Sequence, residues 1–202
     1  MQRDLDGSSE PLECELCAGP LEREHRHVLE IETRRMECTC APCALLFEEA
    51  RGRRYRAIPQ RVRREEPFAA AEAWRALGLG DVGFCFLTSA EHRWTAAVPG
   101  PAGAVEVDLD AAAWHRVWSD SPLARSLEPD VEALLVYAHA SRAPQAFSVP
   151  IDRCYALTES LQGVWSGDDG GAEVSAAIDA FFEHLARANA SPGAHDAWGG
   201  PR

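Results

Sequence analysis

A chain of 202 residues with 46% hydrophobic content is long enough to bury a core and to carry a small appendage beside it. Its 32 Asp and Glu outweigh 20 basic residues, for a formal net charge of -12, which removes nucleic acid and anionic membrane from the default partners. The polar first residues and the shortness of every apolar run argue against a secretory leader and against membrane insertion, so the expected location is the cytoplasm.

Residues 1–10, MQRDLDGSSE, have the composition of a disordered lead. From 11 to 64 the chain reads as a cysteine-rich unit that holds five of the seven cysteines and too few large apolar residues to fold on burial alone. CELC supplies Cys14 and Cys17, and MECTCAPC supplies Cys38, Cys40 and Cys43. Between them HRHVLEIETRRMEC alternates: His27, Leu29 and Ile31 share one side of a strand, and Met36 and Cys38 resume the pattern after polar ETRR. That pattern predicts a β-hairpin joining the two cysteine pairs. APCALLFEEA predicts a turn running into a short helix, and RYRAIP a strand ended by Pro59.

The domain boundary is expected near Arg64, with an α+β domain over 65–187. Phe68, Ala71, Trp74 and Leu77 stand at helical spacing, with Gly78 and Gly80 as stop signals. Strands follow at VGFCFL, RWTAAV and AVEVDL, then a helix over DAAAWHRVW and strands at VEALLVYA and QAFSVP. Two helices close the domain, one starting at Asp152 and one with Val174, Ile178, Phe181 and Leu185 on a single stripe. Short links between the early strands predict an antiparallel or mixed sheet with helices on one face rather than a doubly wound parallel sheet. Residues 188–202 read as a flexible tail. The fold class is therefore α+β: a small N-terminal zinc-ribbon-like unit, then a mixed or antiparallel sheet domain with helices packed on it.

Zinc takes four ligands in a tetrahedron, and a C-x-x-C knuckle turns two thiolates toward one point. Cys14-x-x-Cys17 and Cys40-x-x-Cys43, with 22 residues between the pairs, have the spacing of two knuckles joined by a hairpin and are the expected metal ligands. Metal binding, worth on the order of 10 kcal/mol in structural zinc sites, would supply the stability that burial cannot. Cys38 is the spare thiol and an alternative to Cys40 as ligand. His25 and His27 point the same way on a strand and read either as nitrogen donors or as exposed strand histidines. Iron or an iron–sulfur cluster is the alternative cofactor, because four thiolates suit either metal.

In RGRRYRAIPQRVRR, residues Arg51, Arg53, Arg54, Arg56, Arg61, Arg63 and Arg64 carry seven guanidinium groups with no acid among them, and Tyr55 is the one aromatic. The run reads as a face paired with the chain's own carboxylates or as a contact for a protein partner with an acidic surface. Phosphate neutralisation ranks last, given the overall acidity and the lack of interleaved aromatics. Cys154 falls in the first turn of a helix, where the dipole favours thiolate, but shares an apolar face with Leu157 and Leu161, so a packed thiol is the favoured reading. Cys85 is expected in a buried or half-buried strand. No triad, phosphate loop or dinucleotide fingerprint is visible, and no catalytic residue is assigned.

At CELC, EHRHVLEIETRRMECTCAPCALLF, YRAIPQRV, EPDVEALLVYA, VPIDRCYAL and the final GGAEV and IDAFFEHL blocks, the sequence resembles a family of uncharacterised actinobacterial proteins encoded beside NiFe uptake hydrogenases. The likeness runs from Cys14 to about Leu185, and the absence of lysine beside abundant Ala, Gly and Pro fits a high-GC genome of that kind. The resemblance implies an accessory or assembly role for a hydrogenase, a hydrogenase subunit or maturation factor as partner, and a metal site shared among Cys14, Cys17, Cys38, Cys40 and Cys43. The expectation is a non-catalytic metal-binding accessory protein. A redox or metal-transfer protein with a labile Cys38, and a zinc-ribbon nucleic-acid binder, are the alternatives.

Overall fold

A computed structural model describes residues 12–48, 54–89, 92–107, 109–167 and 170–190. The chain divides into two units, Met1–Ala57 and Ile58–Arg202. The expected lead at residues 1–10, with most of the expected tail, lies outside the described residues.

In the first unit the alternating segment forms the expected hairpin, β1 (Arg26–Glu30) and β2 (Arg35–Thr39), paired antiparallel with His27 opposite Cys38 and Val28 opposite Glu37. A third strand, β3 (Tyr55–Ala57), pairs with the other edge of β1. Helix α1 (Ala41–Leu45) leaves β2 directly, with Cys40 in extended conformation at its N-cap and a proline in its first turn, where a missing N–H costs nothing. Among the described residues of this unit only Cys14, Val28, Leu29 and Ala44 are buried hydrophobics. Such a core is far too small to offset the entropy of ordering the unit.

The second unit begins before Arg64, and the physical reason is strand pairing. Strand β4 (Arg63–Glu65) joins β9 (Gln145–Pro150), with Arg64 opposite Phe147, so this end of the arginine run is committed to the larger sheet. Between them run α2 (Ala71–Arg75), β5 (Val82–Thr88), β6 (Arg93–Gly100), β7 (Gly103–Val107), α3 (Ala111–Asp120), α4 (Pro122–Arg125) and β8 (Glu132–Tyr137). Helices α5 (Ile151–Gln162) and α6 (Gly171–Ala190) follow, α6 running past the expected start of the tail. The sheet order is β4-β9-β8-β5-β6-β7, antiparallel throughout.

Helices cover both faces of this sheet, not one. Trp74, Trp114 and Val117 from α2 and α3 pack with Cys85, Leu134, Val136 and Ala146. The alternate residues of the same strands face α5 and α6, where Phe84 meets Tyr155 and both Tyr137 and Phe147 meet Phe182. This explains why every residue of β8 is buried, and why an unbroken apolar run rather than an alternating one follows Glu132. Helix α2 is shorter than the spacing of its apolar residues suggests, because Gly78 and Gly80, at φ 69° and 72°, turn the chain out of it. Among the described residues no helix is long and apolar enough to cross a membrane.

Candidate metal centre

Cys14 to Cys17 is a tight turn. The Ala18 N–H donates to the Cys14 carbonyl at 2.7 Å, the Cys14 N–H donates to the Gly19 carbonyl at 2.8 Å, and Ala18 itself takes a left-handed φ of 56°. A Cβ on Gly19 would lie 3.3 Å from the Cys17 sulfur, so the glycine leaves that thiol its room. Glu15, inside the turn, fastens it to the hairpin. Its N–H donates to the Cys38 carbonyl at 2.9 Å, and its carboxylate accepts from the Cys38 N–H at 2.5 Å and from Arg35 at 2.8 Å. The Cys38 N–H, with Arg35, holds the Glu15 carboxyl below the usual range. The second pair needs no such clamp, since Cys40 caps α1 and Cys43 rides on it, the Cys40 carbonyl accepting from the Ala44 N–H at 3.0 Å.

The result brings the sulfurs of Cys14, Cys17, Cys40 and Cys43 within 4.8 Å of one another. Cys17 Sγ and Cys40 Sγ are 3.8 Å apart. A tetrahedron with metal–sulfur bonds of about 2.3 Å has edges of about 3.8 Å, so the donor set fits a four-thiolate metal ion. The electrostatics agree. Burial pushes the Cys14 thiol up, but the N–H groups of Cys40, Leu16 and Cys17 outweigh it and bring it down to about 6. The neighbouring sulfurs of Cys40 and Cys17 push Cys43 up to about 12. At Cys17 the Gly19 N–H pulls down, and the Cys14 sulfur leads the opposing effects that leave it raised. One thiolate thus forms readily while the next charges resist, which is the pattern a dication would relieve.

Cys38 is not among the four. Its sulfur groups instead with ring nitrogens of His25 and His27, again within 4.8 Å. His25 and His27 are half-buried rather than exposed. Of the arginine run, Arg51 and Arg53 lie outside the described residues. Arg54 pairs with buried Glu30 and stacks over Tyr55, 5.3 Å from the ring centre. Arg56 sits in β3 opposite Leu29. Arg61 and Arg63 both reach fully buried Glu132, at 2.8 and 3.3 Å, and Arg64 pairs with Glu66 at 3.1 Å. Sequence reasoning passed over Glu15, a mere spacer in C-x-x-C, and Glu132, an acid inside an apolar strand whose oddity was the available signal.

Exposed leucines stand next to the cysteines in the chain: Leu16 lies inside the first knuckle, and Leu45 and Leu46, 57% and 71% exposed, follow the second. In the second unit Cys85 and Cys154 are fully buried, and burial holds both thiols well above their ordinary range. A cavity of about 310 Å³ there is lined by Asp81, Tyr137, His139 and Ser175 among apolar side chains, and His139 places Nδ1 2.8 Å from the Ser141 hydroxyl and Nε2 3.7 Å from Asp81.

A family model described as a family of unknown function, DUF5947, matches residues 13–189. No curated protein and no solved structure matches the chain.

Proposed function

Because the chain belongs to DUF5947, a family without an assigned function, the reading must come from the site, and we propose that this is a non-catalytic zinc-binding accessory protein acting through protein–protein contacts. The carrying observation is the convergence of Cys14, Cys17, Cys40 and Cys43, with a sulfur separation of 3.8 Å that matches a tetrahedral edge. Zinc is favoured over iron because two C-x-x-C knuckles on a hairpin suit a closed structural site, and because the unit has so little apolar core of its own.

In this reading the ion fixes a small platform. Exposed Leu16, Leu45 and Leu46, and separately the arginines of the Arg51 to Arg64 run that belong to this unit, offer contacts for a partner with an acidic surface. A hydrogenase subunit or maturation factor is the partner that the sequence resemblance suggests. The test combines metal analysis with capture by the full-length chain from a host that encodes it. A colourless protein with zinc, retaining a defined partner that Leu45→Ser together with Leu46→Ser releases, supports the reading. Visible thiolate-to-iron absorption, or metal lost on mild oxidation, moves it to the redox or metal-transfer class.

A further inference from the structure

Three further donors of the same unit lie outside the four-thiolate centre. His27 and Cys38 are directly opposed across the β1–β2 ladder, which places their Cβ atoms within about 5.5 Å, and His25, just before β1, has its ring centroid 4.9 Å from that of His27. One donor atom from each of the three lies within 4.8 Å of the others, and the two rings meet at an interplanar angle of 63°.

His25 supplies the decisive detail. Its Nδ1 stands 3.1 Å from the carbonyl oxygen of Glu22. A carbonyl only accepts, so Nδ1 carries the proton and Nε2 of the neutral ring carries the lone pair. That Nε2 is buried and has no hydrogen-bond partner. A buried acceptor left unpaired costs free energy, and a ring anchored through one N–H to a backbone carbonyl is how metal-ligating histidines are oriented.

We infer that His25, His27 and Cys38 form a second metal site, separate from the four-thiolate centre, for a divalent cation of the zinc class. Two imidazoles and a thiolate suit a borderline-soft ion and leave one tetrahedral position to water or another exchangeable ligand. With three protein ligands this site fills after the first and empties before it.

The experiment titrates reduced, metal-free, full-length chain with Zn²⁺ and counts bound ions by native mass spectrometry. The expected result is two ions per chain, with the second weakened more than about tenfold in His27→Ala and in Cys38→Ser while the first stays. One ion at saturation in the unaltered chain, or a second ion of unchanged affinity in both variants, overturns the inference and leaves the four-thiolate centre standing. No ion at all overturns both. X-ray absorption of the two-zinc chain reads the ligands without any substitution: nitrogen in the average zinc shell supports the site, and an all-sulfur shell refutes it.

Discussion

Glu15 stands between two of the four clustered cysteines and spends its N–H and both carboxylate oxygens on the strand that leads to the other two. Its carboxylate adds two side-chain bonds to the backbone bond that places the first knuckle against β2. Glu15→Ala is expected to weaken metal binding by the four cysteines by roughly ten- to a hundredfold, the usual effect of removing a residue that orients metal ligands, measured by chelator competition. The opposite extreme is the pair Cys85 and Cys154, fully buried thiols in apolar surroundings. Both should resist a thiol reagent until the second unit unfolds, whereas the five N-terminal cysteines react once metal is removed. Because burial raises both thiols above their ordinary value in the folded chain, their contribution is fully present below about pH 8.5 and is lost as pH rises through the folded values. Cys154→Ala should therefore flatten the alkaline fall in stability, read from denaturation midpoints across that range. The dipole argument for Cys154 as a nucleophile was legible in the sequence, and so was the apolar face that overrides it.

At the scale of elements, periodicity carried most of the fold. The hairpin, β3 and β5 to β9 stand close to where alternation and apolar runs put them, and the stripe of α6 buries Val174, Phe181 and Leu185. Two features were hidden. Strand β4 is Arg-Arg-Glu, with no apolar residue to mark it, and exists because it pairs with β9 and because Glu65 accepts hydrogen bonds from the Ser121 hydroxyl and the Leu123 N–H at the start of α4. The second face of the sheet was hidden because unbroken apolar strands such as β8 look the same whether one or two layers cover them. Glu132, at the start of β8, ties that strand to β4 through Arg63 and to the segment before β4 through Arg61. Glu132→Ala should cost roughly 2 to 3 kcal/mol of second-unit stability by chemical denaturation. That is below the 3 to 5 kcal/mol typical of a broken buried pair, since both arginines remain partly solvated.

At the scale of the molecule, two units of different physics share one chain. The second carries a layered core with aromatic contacts on both faces of its sheet, and the first has four buried hydrophobics among its described residues. Cysteine spacing marked out Cys14, Cys17, Cys40 and Cys43 while leaving Cys38 as an alternative to Cys40. It could not separate Cys38 from Cys40, because that choice depends on the hairpin register that turns Cys38 toward His27. The most direct measurement is the amide NMR spectrum of the full-length chain before and after a strong chelator. If a metal held by the four cysteines supplies the fold of the first unit, the dispersed signals of residues 12–48 and 54–57 collapse on chelation, return with zinc, and leave those of the second unit in place. A first unit whose signals stay dispersed with no metal bound would contradict it.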